Sequence, residues 1–183
     1  MAQTQNKVRI GGGAWRSRLL RFPDALGLRP TPDRVRQTLF NWLGQELPGR
    51  VCLDLFAGSG ALGFEALSRG AAGVVMVEQS PPVFRALQQN AQLLQAEKAQ
   101  LVRADALQFL AQNTQQFDVI FLDPPFAQGW LEKLLPQLPR HLAPGGQVYA
   151  EAEAALTDDA VWRVAKHGKA GSVHYHLLQL AHV

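Results

Sequence analysis

The sequence predicts an α/β fold, with a doubly wound, seven-stranded, mostly parallel β-sheet and a small N-terminal β-hairpin. From residue 51 onward, short apolar runs of strand length alternate with segments of helical periodicity. This alternation is typical of a parallel sheet with helical crossovers. The last two strand-like runs leave no room for a long helix between them, which indicates an antiparallel pair. Three glycines near the N-terminus separate two further extended segments, which indicates a hairpin.

The N-terminal segment is predicted to form this hairpin and then a helix. Val8-Arg9-Ile10 and residues 14–22 flank Gly11-Gly12-Gly13. Thr31-Pro32-Asp33 has the features of a helix start, since threonine offers a capping hydroxyl and proline fits the first helical position. Leu47-Pro48-Gly49 should end the helix.

The remaining chain is predicted to alternate strands and helices. Strands are expected at 51–55, 74–77, 100–103, 117–122 and 147–150. Helices are expected at 61–69, from Ser80-Pro81 to about Gln95, near 106–111 and within 130–138. Segments 161–166 and 172–180 should form the antiparallel hairpin at the sheet edge. Ligands of such sheets bind beyond the carboxyl ends of the strands, so the residues that follow each strand are the site candidates.

Charge is distributed unevenly along the 183 residues. The formal net charge is +3, but residues 1–36 hold eight basic and two acidic residues. Residues 37–160 hold seven basic and thirteen acidic residues, and the last 23 hold three basic residues and no acidic one. This pattern indicates a polyanionic partner such as a nucleic acid, contacted mainly through the N-terminal segment. We therefore divide the chain into a basic hairpin extension, 1–30, and a main domain, 31–183.

Cysteine content and hydropathy exclude several classes of protein. Cys52 is the sole cysteine, which excludes an internal disulfide framework and fits a reducing compartment. The five histidines lack the spacing of metal ligands, and His174 and His176 are expected to be ordinary surface positions. No stretch approaches 18 consecutive apolar residues, and residues 1–18 lack a signal-peptide run. We expect a cytoplasmic monomer that binds no metal ion and no membrane.

Three of the predicted strands end at residues that suit an adenosine ligand. Segment 54–60 combines an acid with glycines that let the backbone approach a ligand, and with Gly63 it matches the dinucleotide fingerprint. Glu78 ends the second strand, where an acid can accept hydrogen bonds from ribose hydroxyls or remain a solvated carboxylate. Asp105 follows the third strand and can accept from an adenine amino group or cap the next helix.

Asp123-Pro124-Pro125-Phe126, which follows the fourth strand, is the most specific motif in the chain. Two prolines can continue neither a helix nor a ladder, and they hold the turn extended. The Asp123 carboxylate and the Pro124 carbonyl then offer two acceptors beside the Phe126 ring. Two acceptors and a stacking face suit a planar heterocycle that carries an exocyclic amino group.

Taken in order, these strand-end motifs resemble a Rossmann-like class I S-adenosylmethionine-dependent methyltransferase. The tetrapeptide is similar to the Asp/Asn-Pro-Pro-aromatic motif of enzymes that methylate exocyclic or amide nitrogens. Further segments narrow the resemblance to the bacterial 16S rRNA (guanine(966)-N(2))-methyltransferase family: 9–12, 15–18, 29–36, 40–41, 53–63, 65–70 and 121–126.

The resemblance implies a role for each matching residue. S-adenosylmethionine, converted to S-adenosylhomocysteine, would be bound by Asp54, Phe56, Gly58, Gly60, Glu78, Asp105 and Ala106. The catalytic residues would be Asp123, Pro124 and Phe126. The expected partner is 16S rRNA, free or within a partly assembled small ribosomal subunit. It would be bound by Arg9, Trp15, Arg16, Arg18, Arg29, Arg34 and Arg36. Trp15 could stack on a base or pack the hairpin onto the domain.

Three other functions fit parts of the sequence. A nicotinamide-dependent oxidoreductase would use the glycine fingerprint, but it would need a second substrate domain, and the tetrapeptide has no role in hydride transfer. A DNA adenine-N6 methyltransferase shares the tetrapeptide, but 183 residues leave little room for a target-recognition region. A non-enzymatic RNA-binding module would not need Asp54, Glu78 and Asp105. The family resemblance implies methylation of the N2 amine of a guanine in 16S rRNA, and it fits the sequence better than these three alternatives.

Overall fold

The computed structural model describes residues 5–25 and 28–182. Nine strands are described in these ranges: β1 (Gln5–Arg9), β2 (Leu19–Pro23), β3 (Val51–Asp54), β4 (Gly73–Glu78), β5 (Ala99–Arg103), β6 (Phe117–Leu122), β7 (Leu142–Ala152), β8 (Trp162–Ala170) and β9 (Val173–Leu180). The α-helices are α1 (Asp33–Leu43), α2 (Ala61–Ser68), α3 (Pro81–Leu94), α4 (Ala106–Gln112) and α5 (Trp130–Leu134). Two 3₁₀ turns, Leu135–Gln137 and Pro139–His141, follow α5.

Seven strands form one sheet in the order β5-β4-β3-β6-β7-β9-β8. Strand β9 runs antiparallel to both of its neighbours, and the other pairings are parallel. The structure confirms the predicted doubly wound, mostly parallel sheet with an antiparallel hairpin at one edge. The chain winds outward from β3 to β5 and then returns to β6 on the other side of β3. The carboxyl ends of β3 and β6 therefore lie at the switch point, where such sheets bind ligands.

Alternate residues of the central strands enter two apolar cores, one on each face of the sheet. Cys52, Met76 and Phe121 pack against α1, α2, α3 and the hairpin. Leu53, Val75 and Ile120 pack on the other face, against α4 and α5. Both faces are covered, which explains why these strands appear in the sequence as continuous apolar runs rather than alternating ones.

The N-terminal hairpin is part of the first of these cores. Val8, Ile10, Leu20 and Phe22 are buried in it. The loop of the hairpin is bound to the end of α2, because the N–H of Ala14 donates to the Ser68 carbonyl at 2.8 Å and the Ser68 hydroxyl bonds both to the N–H of Trp15 and to the Gly12 carbonyl. The hairpin is therefore held at a fixed position on the sheet domain.

Several local predictions differ from the structure. The second hairpin strand begins at Leu19 rather than near Ala14, because residues 10–18 form the turn. Helix α1 ends at Leu43, where Gly44 adopts a positive φ of 101°, rather than at Leu47-Pro48-Gly49. Thr31 does not cap α1, since its hydroxyl contacts two carboxyl groups instead.

Two further features concern the histidines and the helices. His176 is fully buried, not at the surface. Its Nε2 accepts from the Leu156 N–H, and its Nδ1 bonds the Ala150 carbonyl.

Within 5–25 and 28–182, no cluster of three or more His, Cys, Asp or Glu side chains has an arrangement that could hold a metal ion. None of the helices described in these ranges has the length and apolar character needed to cross a membrane.

Candidate active site

The glycine-rich loop forms a tight connection between β3 and α2. The N–H of Ala57 donates to the Val77 carbonyl at 2.9 Å, and the N–H of Gly60 donates to the Ala57 carbonyl at 2.8 Å. Gly60 begins α2 with a φ of 87°, and a β-carbon at this position would overlap the Phe64 ring. Glycine is therefore required both by the backbone and by packing, and the N-terminus of α2 lies at the edge of the sheet that holds the site.

Asp54 is a buried carboxyl group at the end of β3. Its Oδ2 accepts a hydrogen bond from the Gly63 N–H at 3.2 Å, whereas Oδ1 is buried without a hydrogen-bond partner among the described residues. Burial raises the pKa of Asp54 to about 7, and the nearby charge of Glu78 adds to the effect. A buried acceptor that lacks a partner is a place where a ligand donor or a cation would be stabilised.

Glu78 lies across the loop from Asp54, at the end of β4. Its two oxygens accept hydrogen bonds from the N–H of Gly58 at 3.1 Å and the N–H of Ser80 at 3.3 Å. Burial raises the pKa of Glu78 above its ordinary value, and these two N–H bonds oppose the rise. A carboxylate offers about four acceptor positions, so this one retains capacity for a ligand.

The third strand-end acid acts as a helix cap. Oδ1 of Asp105 accepts from the N–H of Leu107 at 2.9 Å and of Gln108 at 3.2 Å, at the start of α4. The capping alternative is thus present in the structure, and both described bonds use the same oxygen. Ala106 is buried directly behind this acid. Phe56 is half-buried and packs edge-on against Trp130, with ring centroids 5.3 Å apart.

The Asp123-Pro124-Pro125-Phe126 turn follows β6, beside β3 in the sheet. Asp123 is half-buried and Pro124 is buried, while 41% of the Phe126 side chain is exposed. A cavity of about 220 Å³ opens beside the turn and is lined in part by Pro124, Phe126 and Glu151. Pro124 and Phe126 of the turn therefore border an open space, whereas Asp123 is not among the residues that line this cavity.

Two side chains that the sequence analysis did not identify contact Asp123 from other elements. The Thr31 hydroxyl lies 3.2 Å from Oδ2 of Asp123 and 3.1 Å from Oε1 of Glu151. Glu151 directly follows the predicted strand 147–150, just as Asp123 directly follows strand 117–122, so its position in the sequence also marks it as a site candidate. Thr31 carries no such signal, because only the tertiary structure brings it to the carboxyl ends of the strands.

The predicted RNA-binding residues differ in exposure. Arg9, Arg16, Arg18, Arg29 and Arg34 are exposed on the hairpin and the segment that follows it. Arg9 donates to the Ser17 carbonyl and Arg18 to the Leu93 carbonyl, each at 3.0 Å. Trp15 is half-buried and packs edge-on against Phe64 at 6.5 Å, so in this structure it attaches the hairpin to the domain.

Arg36 departs from the prediction that it binds RNA at the surface. It is only 1% exposed. Its guanidinium donates to the Thr31 carbonyl at 3.2 Å and the Arg9 carbonyl at 2.8 Å, and it pairs with the Asp33 carboxylate. The buried Glu65 carboxylate lies 3.6 Å away. Arg36 therefore ties the hairpin to α1 and α2 and is not available to a phosphate.

Comparisons with known proteins show the family to which the chain belongs. Residues 8–179 match the family model described as conserved hypothetical protein 95. Ribosomal RNA small subunit methyltransferase D of Escherichia coli strain K12 is 45% identical over 178 residues, which cover 94% of this chain and 90% of that protein. The protein of the same name from Haemophilus influenzae is 43% identical over 188 residues, and the match covers 97% of this chain and 97% of that protein.

A solved structure shows the same similarity in three dimensions. The structure of the Escherichia coli protein yhhF superposes with a TM-score of 0.85 at 44% sequence identity, and the match covers 96% of this chain and 98% of that one. The family model spans nearly the whole chain, and both sequence relatives exceed 40% identity over more than nine-tenths of it. The chain therefore belongs to the conserved hypothetical protein 95 family, and the two sequence relatives described above are named ribosomal RNA small subunit methyltransferase D.

Proposed function

We propose that this protein uses S-adenosylmethionine to methylate the exocyclic N2 amine of a specific guanine in 16S rRNA. The observation that carries the proposal is the rigid Asp123–Phe126 turn, which lies beside the cofactor-side acids of β3 and β4 at the switch point of the sheet. Its relatives in Escherichia coli and Haemophilus influenzae are named as methyltransferases of the small subunit ribosomal RNA, which supports the same substrate class.

The residues of the site fit S-adenosylmethionine, which supplies an activated methyl group on a positively charged sulfur. Glu78 retains acceptor positions for the ribose hydroxyls, and Asp105 retains its second oxygen for the adenine amino group. Oδ1 of Asp54 is a buried acceptor that has no hydrogen-bond donor among the described residues, so it could accept from the ammonium group of the cofactor. These acids also make the edge of the sheet negative, which favours a cationic ligand over its neutral-sulfur product.

Asp123, Pro124 and Phe126 position the target base. The lone pair of a guanine N2 amine is delocalised into the ring, so the amine is a poor nucleophile. Hydrogen bonds from its two protons to the Asp123 carboxyl and the Pro124 carbonyl favour a more pyramidal nitrogen whose lone pair faces the methyl group. Phe126 stacks on the base after it leaves its own stack. Catalysis then consists of orientation and electrostatic preorganisation, and the amine proton leaves after methyl transfer.

The N-terminal arginines hold the RNA backbone in this proposal. A cavity of about 840 Å³ lies between the hairpin loop and helices α1 and α2, and Arg9, Arg16 and Arg69 are among its lining residues. Six exposed arginines lie on 9–34. Phosphate contacts of this kind fix the position of an RNA without reading its sequence. The protein acts as a cytoplasmic monomer, on 16S rRNA that is free or already in a partly assembled small subunit.

The proposal is tested with 16S rRNA from cells that lack this protein. Mass spectrometry should show one unmethylated guanine, which the purified wild type then methylates in free rRNA or in small-subunit particles. Asp123→Ala should reduce the single-turnover rate by ~10²–10³-fold, because one of the two acceptors that orient the amine is lost. Phe126→Leu should weaken capture of the base and spare the affinity for S-adenosylhomocysteine. An Asp123→Ala variant that folds and reacts at the wild-type rate contradicts the mechanism.

The same assay separates the two other enzymes that fit the sequence. Methylation of adenine in duplex DNA, with rRNA unmodified, would indicate an adenine-N6 methyltransferase. The RNA-directed relatives do not favour that alternative. Tight binding of NADH by the wild-type protein would favour a nicotinamide-dependent oxidoreductase.

A further inference from the structure

The strand register places Glu151 next to Asp123. Strands β6 and β7 are parallel neighbours, and Leu122 pairs with Ala150, so the following residues of the two strands lie side by side. The Thr31 hydroxyl lies between the two carboxyl groups, 3.2 Å from Oδ2 of Asp123 and 3.1 Å from Oε1 of Glu151. Glu151 is only 7% exposed and also lines the cavity beside the turn.

A second hydroxyl fixes the orientation of Glu151. Tyr149 is fully buried and lies two residues earlier on the same face of β7. Its hydroxyl donates to Oε1 of Glu151 at 2.6 Å. A hydrogen bond this short is typical of a hydroxyl that donates to a charged carboxylate. Tyr149 and Thr31 thus both lie at hydrogen-bond distance from Oε1 of Glu151, which fixes the orientation of its carboxyl group.

Among the described residues, no basic side chain forms an ion pair with Asp123 or Glu151. The ion pairs described within 5–25 and 28–182 join Arg36 to Asp33 and Glu65, and Arg69 to Glu65, and none involves Asp123 or Glu151. Thr31 has one hydroxyl hydrogen and can donate to only one of the two carboxyl groups at a time. Two neighbouring carboxyl groups without a cation resist ionising together, because like charges repel each other.

Most of the groups around Asp123 raise its pKa. Burial raises the pKa of Asp123 well above its ordinary value, and the charge of Glu151, a hydrogen bond with its carboxyl group and the charge of Asp54 add to the rise. The Thr31 hydroxyl opposes this rise. Tyr149 remains protonated, since burial and Glu151 raise its pKa well above the usual value, with a smaller contribution from Tyr175 of β9.

We infer that Glu151 is a positioning residue for this site, because it shares one proton with Asp123 and so fixes the orientation and the charge of that carboxyl group. The inference rests on the proposed function, in which Asp123 accepts a hydrogen bond from the target amine. Asp123 meets the amine as the neutral half of a hydrogen-bonded acid pair whose single charge lies on Glu151. Such a group has the hydrogen-bonding pattern of asparagine, the residue that begins many related motifs.

Two substitutions of Glu151 separate positioning from a merely structural role. Glu151→Gln retains a side chain that can donate to Asp123 and accept from Tyr149, but it abolishes the shared proton. Its single-turnover rate at neutral pH should therefore fall less than that of Glu151→Ala. Glu151→Ala removes the partner altogether, so its rate should fall about 10- to 100-fold while the affinity for S-adenosylhomocysteine stays within about twofold. Glu97→Gln, which alters an exposed carboxyl group before β5, is the matched control.

The pH profile of the rate is the decisive readout. In the wild type the rate should fall at high pH, when the shared proton leaves and two adjacent charges repel each other. Glu151→Gln should not show this fall in rate at high pH, whereas Glu97→Gln should show it as the wild type does. Wild-type activity in Glu151→Ala, or an unchanged profile in Glu151→Gln, would overturn the inference. If Glu151→Ala does not fold, the Glu151→Gln profile alone decides.

An infrared measurement tests the shared proton without any substrate. In the Asp54→Asn background, which removes the other buried acid, the protein should show the carbonyl band of a protonated carboxyl group at pH 7. Labelling with ¹³C-aspartate should shift that band, and Glu151→Gln should change its frequency, because Asp123 then no longer shares its proton with a carboxylate. Absence of the band overturns the inference even if rRNA is methylated. Conversely, its presence in a protein that methylates no rRNA would leave the proton pair intact and refute only the proposed function.

Discussion

The carboxylate of Glu78 accepts a hydrogen bond from the backbone N–H of Gly58, across 3.1 Å. This bond joins the end of β4 to the glycine-rich loop that follows β3. Because a second bond from the Ser80 N–H holds the other oxygen, the acid is oriented before any ligand binds. One residue thus shapes the loop and presents acceptor positions to the ribose of the proposed cofactor.

Glu78→Ala should therefore weaken the binding of S-adenosylhomocysteine by at least tenfold. Hydrogen bonds to a charged group contribute ~1.5–3 kcal/mol each, and the variant loses those to the ligand as well as the bond that shapes the loop. Isothermal titration calorimetry measures the change. Glu78→Gln, which keeps one acceptor oxygen, should lose less. An unchanged affinity in a Glu78→Ala variant that melts cooperatively would show that Glu78 does not contact the ligand.

Most of the sheet could be predicted because each central strand is a short apolar run that is buried on both faces. Strand 117–122 is a clear example, since the predicted and observed bounds coincide. Parallel sheets bind ligands beyond the carboxyl ends of their strands, so residues near these ends could be predicted as site candidates. The structure brings Asp54, Glu78 and Asp123 to one edge of the sheet. Boundaries were less predictable at turns. The hairpin strand β2 starts five residues later than expected because residues 10–18 are held in a turn by bonds from Ile10 and Ser17.

What could not be predicted depends on contacts between distant segments. The sequence around Thr31 is that of a helix cap, yet its hydroxyl bonds Asp123 and Glu151, 92 and 120 residues away. Arg36 lies in a basic run, and such a run usually indicates a solvated surface. Its burial results from the Glu65 carboxylate and the Arg9 carbonyl, neither of which local sequence can place beside it. Side chains whose partners lie on other elements therefore need the tertiary structure.

Asp54→Asn should make stability less dependent on pH. The pKa of Asp54 is raised from 3.8 to about 7 in the folded protein, so the folded state binds more protons than the unfolded state between these values. Stability contributed by this group is therefore greatest at low pH and is lost as pH rises from about 4 to 7. Relative to the wild type, Asp54→Asn should gain thermal stability between pH 5 and pH 8, which calorimetric melts at each pH measure. An equal difference at both pH values would contradict this assignment.

The same substitution should change how the cofactor product binds. If Asp54 accepts the ligand ammonium group, only its ionised form binds tightly, so wild-type affinity for S-adenosylhomocysteine should rise as pH passes through about 7. Asp54→Asn should bind more weakly at pH 8 and show a flatter dependence on pH. Calorimetric titrations at pH 6, 7 and 8 would measure it, and a wild-type affinity that does not vary with pH would argue against this contact.

Replacing Arg16 and Arg18 together by Gln should reduce the salt dependence of RNA binding. Both side chains are exposed on the hairpin loop. Each phosphate contact adds roughly 0.7 to 0.9 to the slope of log affinity against log salt concentration, so the slope should decrease by about 1.4 to 1.8. Arg163→Gln with Lys166→Gln removes the same charge from the exposed edge strand β8 and should leave the slope nearly unchanged. Equal slopes for the hairpin variant and the wild type would show that these arginines do not contact phosphates.

Gly13→Ala should weaken the attachment of the hairpin loop and thereby RNA binding, without affecting the cofactor site. Gly13 has a φ of 80°, and a β-carbon there would overlap the Ser68 carbonyl oxygen, which accepts the Ala14 N–H bond. The strained backbone alone costs ~1–2 kcal/mol, so the melting temperature should fall by at least ~2–4 °C. Ser17→Gly is the matched control in the same loop, because Ser17 has a φ of 71° that glycine adopts without strain. It should raise the melting temperature and keep RNA affinity. If the hairpin acts only through its charge, Gly13→Ala will melt earlier yet bind RNA as tightly as the wild type, and fixed docking of the loop will then be irrelevant to substrate recognition.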